Sequence, residues 1–141
     1  MGKISIDIRN ATLIKEDITV GIDLGTTNSL VAIVEGEQRL PVCLRDGGKA
    51  IVPSILHFTD DGNILVGDAA REKLVSDPRN TIYSIKRLLG RSYNELAAHS
   101  QYYGYRIVED ESGASVRVEE KWRLYPQCEL SALILAEVKK K

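Results

Sequence analysis

Val20-Gly21-Ile22-Asp23-Leu24-Gly25-Thr26-Thr27-Asn28-Ser29-Leu30-Val31-Ala32-Ile33-Val34 is the stretch on which the reading of this chain turns. An apolar, β-branched run carries one carboxylate, enters a Gly-Thr-Thr-Asn turn and returns as a second apolar run. Residues 18–24 and 29–34 therefore read as the two strands of a hairpin. Asp23 breaks the apolar pattern. A carboxylate at an apolar strand end is costly unless a cation or a hydrogen-bond network compensates it. Gly25 lets the backbone turn tightly and lets a ligand come close to it. Successive N–H groups in such a turn form a concave anion site. The hydroxyls of Thr26, Thr27 and Ser29 and the amide of Asn28 add donors. The residues alone leave two readings open. One is a holder for phosphate and Mg²⁺, the ion keeping its waters and meeting the protein through one carboxylate. The other is a plain β-turn in which Asp23 caps local backbone N–H groups. A Walker A loop is excluded, because there is no Gly-Lys-Ser/Thr ending and no helix directly follows.

The bulk properties narrow the class. A chain of 141 residues with 43% hydrophobic and 28% charged residues suits one soluble globular domain, not a disordered segment. A formal net charge of −1 gives no case for nucleic acid or an anionic membrane as a partner. No apolar run approaches the roughly 20 residues that cross a bilayer. The N-terminus alternates polar and apolar residues, unlike the apolar core of a signal peptide. Met1-Gly2 lacks the Ser or Thr that myristoylation wants at the sixth position, where Ile6 stands. Cys43 and Cys128 match no metal spacing and read as reduced, largely packed thiols in a reducing cytoplasm. His57 and His99 have no Cys or His neighbour in sequence and do not read as ligands.

Outward from the hairpin, residues 3–13 form an extra segment in which Ile4, Ile6 and Ile8 alternate, as in an edge strand or an ordered arm. Residues 13–17 read as a connector. Gly36-Glu37 turns into a third strand over 39–45, where Pro41 points to an edge. After the Asp46-Gly47-Gly48 turn, 51–59 reads as a strand broken by Pro53. Asp60-Asp61-Gly62-Asn63 is a hairpin turn into 64–66. A short helix over 69–76 follows, with Asp68 as N-cap, and Asp77-Pro78 ends it. Asn80 or Thr81 caps a helix over 82–89 that Gly90 closes; Ile82, Ile85 and Leu89 define its buried face, with Lys86 at the rim. A helix over 92–101 starts with Ser92 and its capping-box partner Glu95. Residues 106–109, 115–119 and 121–124 read as strands, with turns at Ser112-Gly113 and Glu120. Pro126 opens a last helix that buries Leu130, Leu133, Ile134 and Val138. Tyr83, Tyr102, Tyr103, Tyr105 and Trp122 read as packing residues.

Four segments in order carry a family resemblance. Gly21-Ile22-Asp23-Leu24-Gly25-Thr26-Thr27-Asn28-Ser29 resembles the first phosphate loop of the heat-shock protein 70 chaperones, members of the actin, hexokinase and sugar-kinase ATPase superfamily. Val52-Pro53-Ser54, then Val66-Gly67-Asp68-Ala69-Ala70, then Asn80-Thr81-Ile82-Tyr83-Ser84-Ile85-Lys86-Arg87-Leu88-Leu89-Gly90-Arg91 follow in the family's order. The resemblance runs from residue 18 to the C-terminus. It implies an α/β fold with an α+β insertion: a partial actin/hexokinase-like ATPase lobe I, with a three-strand antiparallel meander, an inserted subdomain IB and a return helix. Residues 1–17 are then an N-terminal extension and 18–40 the start of subdomain IA. Residues 41–125 are IB-like and form the upper lip of a nucleotide cleft; 126–141 are the first part of the returning IA helix. The implied cofactors are ATP/ADP and Mg²⁺. Asp23 is implied to hold Mg²⁺ through water, and Thr26 to sit by the γ-phosphate and help position the attacking water. Gly25, Thr27 and Asn28 are implied to supply donors to the phosphates. Lys86 is implied to reach the γ-phosphate, where a fixed ammonium stabilises charge on the transferred phosphoryl group without a covalent step. On the residues alone, Lys86 and Arg87 also read as solvated helix charges. Arg87 and Arg91 are expected in ion pairs or lobe contacts, and Asp68 as a cap, not a catalyst.

The family's ATPase module is far longer, so the chain is expected to be an N-terminal fragment. It lacks a second phosphate loop, a glutamate and further aspartates around the metal, and an adenosine pocket. Hydrolysis and tight ATP binding by these residues alone are expected to be absent or very weak. The full protein is expected to be a cytoplasmic chaperone whose ATP cycle gates a peptide clamp. It would serve protein folding or iron–sulfur cluster assembly. The implied partners are a J-domain co-chaperone, a nucleotide exchange factor, and unfolded peptide clients or an iron–sulfur scaffold protein. Apolar surface left uncovered by a partial lobe implies self-association of the fragment. Two alternatives share the hairpin: a small-molecule kinase, which should lack the 80–91 run and its lysine, and an actin-type filament protein.

Overall fold

The computed structural model describes residues 4–7, 12–15, 18–34, 41–45, 48–111, 113–118 and 123–141. The turns expected at 36–37 and 120 and the packing role of Trp122 lie outside these residues. Ile4–Asp7 (β1) and Thr12–Lys15 (β2) pair antiparallel as a hairpin of their own. The expected strand at the N-terminus is present, and most of the expected connector is its partner strand.

Thr19–Leu24 (β3) and Asn28–Val34 (β4) pair antiparallel from Thr19↔Val34 to Leu24↔Ser29. Only Gly25, Thr26 and Thr27 remain to reverse the chain. A Cβ on Gly25 would lie 2.1 Å from the Asn28 carbonyl oxygen, so the turn admits glycine alone. Pro41–Cys43 (β5) pairs with the far end of β4, and Val52–Pro53 (β6) with its near end through Asn28↔Pro53 and Ser29↔Val52. β5 ends at Cys43, before the expected end at residue 45, and Pro41 lies on this edge strand.

A second antiparallel sheet centres on Leu56–Phe58 (β7), flanked by Ile64–Val66 (β8) and Thr81–Ile82 (β9). Arg106–Asp110 (β10), Gly113–Val118 (β11) and Arg123–Pro126 (β12) form a meander. The helices are Asp68–Arg71 (α1), Tyr93–Ala97 (α2) and Gln127–Val138 (α3). The chain is therefore mixed α and β, with antiparallel sheets throughout the described residues. The main core gathers Leu56, Phe58, Ile82, Ile85, Leu88, Val116, Leu130 and Ile134. A smaller cluster of Val31, Val52 and Val138 joins α3 to the front sheet. Among the described residues, no helix is long and apolar enough to cross a membrane.

Several expectations are corrected. The helix over 69–76 is a single α turn followed by hydrogen-bonded turns, because its second half has little to bury: Leu74 is only half-buried and Val75 is 92% exposed. Gly67, not Asp68, occupies its cap position; the Asp68 carboxylate instead pairs with Lys49 at 2.9 Å and with Arg71. The helix over 82–89 is β9 followed by one 3-10 turn over Ile85–Arg87. Ile82 is claimed by pairing with Leu56, and burial at Ile82, Ile85 and Leu88 follows a three-residue period. The helix over 92–101 ends at Ala97 and resumes as a 3-10 turn over Ser100–Tyr102, although the Ser92/Glu95 capping box is present. Pro126 closes β12 and caps α3 in place of opening it. Along α3, Leu130, Ile134 and Val138 are buried as the spacing predicts, and Leu133 is half-buried against the core. Cys43 and Cys128 are free thiols but exposed, not packed, and Tyr102 is 70% exposed.

Candidate functional site

The tight turn at Gly25 does not stand alone. Ser54 N–H donates to the Thr27 carbonyl at 2.8 Å, and the buried Ser29 and Ser54 hydroxyls share a hydrogen bond of 2.9 Å. Two residues beyond Ser54 the chain enters β7, whose Leu56 pairs with Ile82, and Ile82 leads directly into Tyr83 and Ser84. This path folds the turn and the 80–91 segment against each other. A hollow of ≈ 360 Å³ lies between them, lined by Thr26, Thr27 and Ser54 on one side and by Tyr83, Ser84 and Gly104 on the other.

The far wall is held by an interlocked set of tyrosines. Ser84 adopts left-handed backbone (φ 55°, ψ 32°), which costs a residue with a Cβ on the order of 1–2 kcal/mol. The Tyr105 hydroxyl donates to the Tyr83 carbonyl at 2.7 Å, next to the strained residue. The Tyr83 hydroxyl donates to the Tyr102 carbonyl and accepts from Gly104 N–H. Burial first, then the neighbouring Tyr103 and Tyr83, pushes the Tyr105 phenol far above its ordinary range, so it stays a donor at every working pH. A Cβ on Gly104 would press on Pro78 at 3.0 Å, so the chain passes close here. At the other end of the turn, the Gln127 side chain accepts from Gly90 N–H at 3.1 Å and donates to the Arg91 carbonyl at 3.2 Å, clamping it to α3.

The sequence-derived site residues fall as follows. Thr26 and Thr27 line the hollow. Gly25 makes the turn, and Asn28 opens β4 opposite Pro53. Asp23 is exposed on β3, and Lys86 is exposed on the 3-10 turn between buried Ile85 and Leu88. Neither lines the hollow. Among the described residues neither carries an ion-pair partner. Arg87 likewise has no ion pair among them, whereas Arg91 adds to the forces that hold the Glu95 carboxyl below its usual range, the largest being Ser92 N–H. His57 is a structural residue: buried, its Nδ1 meets the Thr81 hydroxyl at 2.9 Å. The described residues contain no cluster of metal-ligating side chains. A divalent ion would therefore be held by one carboxylate together with ligand oxygens, as Mg²⁺ prefers. Ser54, Ser84 and Gly104 were not singled out from sequence as site residues, and Tyr83 was read as a packing residue. Ser54 and Ser84 lie inside motif segments, but nothing in a serine announces a left-handed backbone or a distant hydroxyl partner.

A sequence model of the Hsp70 protein family matches residues 19–141 of this chain. The chain is also 41% identical over 120 residues to the chaperone protein dnaK3 of Thermosynechococcus vestitus. That alignment covers 84% of this chain and 18% of the relative, so the chain spans less than a fifth of its length. β1 and β2 precede the matched region.

Proposed function

Because this chain belongs to the Hsp70 family, we propose that it builds the first wall of the ATPase site of an ATP-driven chaperone. The observation that carries this is the shared hollow: Thr26 and Thr27 face Tyr83 and Ser84 across it, and Lys86 follows two residues later. Residues 18–40 supply the phosphate hairpin of subdomain IA, 41–125 form the IB-like lip, and 126–141 return as an IA helix. Together they are one lobe's share of an actin-like ATPase fold.

The residues fit ATP with Mg²⁺. The turn at Gly25 has no room for a side chain, as a backbone cradle for phosphate requires. Asp23 lies two residues before the Gly25 turn and Lys86 two residues after Ser84, each exposed and without an ion pair among the described residues. When bound, the nucleotide supplies the phosphoryl group and the ion offsets its charge. Asp23 would hold the ion through water; Gly25, Thr27 and Asn28 would donate to phosphate oxygens. Thr26 would orient the attacking water, and Lys86 would stabilise charge at the transferred group. The 141 residues alone hydrolyse ATP weakly or not at all, since the opposite lobe is missing from them.

In the full protein the ATP cycle would drive capture and release of peptides by a separate clamp domain. A J-domain co-chaperone and an exchange factor would set its pace, and the protein would work in the cytoplasm. Residues 26–32 and 84–92 and the added N-terminal hairpin also suit the branch serving iron–sulfur cluster assembly. A pull-down of the full-length protein with an iron–sulfur scaffold protein separates that branch from general folding. Family membership replaces the kinase and filament alternatives.

The test of the main reading is steady-state ATP hydrolysis by the full-length protein. The expected result is slow hydrolysis, accelerated by a J-domain partner with peptide. Hydrolysis that is undetectable, or that requires a small-molecule phosphoryl acceptor, would overturn it.

A further inference from the structure

We propose that the buried Ser29–Ser54 hydroxyl pair positions the phosphate hairpin, setting the width of the gap between its Thr26-Thr27 turn and the Tyr83-Ser84 wall. This rests on the ATPase reading above and names residues that reading does not use. Ser29 is 1% and Ser54 3% exposed, and their hydroxyl oxygens lie 2.9 Å apart.

Three further contacts tie the same two segments. Ser54 N–H donates to the Thr27 carbonyl at 2.8 Å, Asn28 pairs with Pro53, and Ser29 pairs with Val52. From Ser54 the route to the other wall is short: Leu56 pairs with Ile82, which precedes Tyr83. The serine pair therefore sits on a bonded route between the two walls of the hollow.

The apolar part of the contact is thin. β3 is exposed along almost its whole length; among the described residues the sheet rests on the small Val31, Val52 and Val138 cluster, with Leu44 and Val66 against it, and on Leu24, which touches the main core. Apolar contacts tolerate small slips, whereas a buried hydroxyl pair has one good geometry and is costly to leave unmet. The pair thus fixes a register that the sparse apolar packing leaves loose. Ser29 lies below the turn and does not line the hollow, so its effect on the chemistry is indirect.

This separates two consequences that a purely structural role would keep together. Ser29→Ala or Ser54→Ala strands one buried hydroxyl and lowers stability. Removing both hydroxyls abolishes that stranded group, so stability largely returns. The hold on the gap does not return. Misplacement of reacting groups by about 1 Å can cost on the order of a hundredfold in rate.

The experiment compares the wild-type full-length protein with S29A, S54A and S29A/S54A by thermal unfolding and steady-state ATP hydrolysis. We expect kcat to fall at least about tenfold in all three, with KM for ATP within about twofold. We expect the double variant to melt closer to wild type than either single variant while remaining slow. Recovery of kcat together with melting temperature in the double variant overturns the proposal, as does wild-type kcat in the singles. If a single variant does not fold, the double variant carries the test. If the wild-type protein shows no hydrolysis, the ATPase reading fails. The positioning claim is then read from amide exchange of Ser54 N–H in S29A. Exchange at least about tenfold faster than wild type there, with Leu130 and Ile134 unchanged, supports it. Unchanged Ser54 exchange overturns it.

Discussion

β3 and β4 share a ladder of paired residues, yet the side chains of β3 from Thr19 to Asp23 are all exposed, Val20 and Ile22 at 55% each. Behind this sheet, side chains from β7 to α3 close into one continuous core, with Phe58 and Tyr125 rings 4.6 Å apart and Leu56, Ile82 and Leu130 fully buried. The front sheet is held by backbone pairing and a few side chains. The block is held by apolar burial, the dominant favourable term in folding. The candidate site lies on the seam. One of its walls belongs to the well-packed block and the other to the thinly supported sheet. A change in the block should therefore act through unfolding, and a change in the sheet through the shape of the site.

Stability measurements can break or sharpen this contrast. Phe58→Ala or Leu130→Ala should cost about 3–5 kcal/mol in denaturant unfolding, since each empties a fully buried volume. A loss under about 1 kcal/mol would mean that the block is not the core it looks to be. Val31→Ala, in the small cluster under the front sheet, should cost only about 1–2 kcal/mol by lost methyl burial. A loss equal to that of Phe58→Ala would erase the distinction. Ser92→Ala should remove the N-cap of α2 and cost about 1 kcal/mol.

Acid should act locally and weakly. Asp61, Asp68 and Glu95 all titrate below their ordinary range; the leading causes are the Thr59 hydroxyl, Lys49 and Ser92 N–H respectively. A depressed carboxyl contributes stability that is complete above the unfolded-state value and fades as pH falls through the folded one. The gap in melting temperature between wild type and Asp68→Asn should thus be present near neutrality and close below about pH 4. A gap that widens in acid contradicts the assignment. Last in stability is Lys86→Ala, expected to change unfolding by no more than about 0.5 kcal/mol because the side chain is exposed. In the full-length protein the same substitution should lower kcat by about a hundredfold or more.

The parts legible in the sequence were those fixed by local chemistry. The hairpin could be read because β-branching and one obligatory glycine are written into consecutive residues. The capping box needed only Ser92 and Glu95, and the buried face of α3 only its period. The 80–91 segment was different. Its motif was legible but its shape was not, because an apolar residue every third position suits a helix and a 3-10 turn alike. Pairing of Ile82 with Leu56, 26 residues earlier in the numbering, settled the matter. The left-handed Ser84 left no mark in composition. The same non-locality hid Ser54, whose hydroxyl partner is 25 residues away. Exposure of Cys43 and Cys128 was equally hidden, since burial depends on which faces other segments cover.

The central claim is that the Gly25 turn and the segment ahead of Lys86 border one nucleotide hollow. Paramagnetic broadening tests it most directly, with Mn²⁺·ATP replacing Mg²⁺·ATP on the isotope-labelled full-length protein. The account predicts that amide signals of Asp23, Thr26 and Thr27 and those of Ser84 and Lys86 broaden together, while those of Asp61 and Asn63 stay sharp. Broadening of only one of the two groups, or of neither, would contradict it.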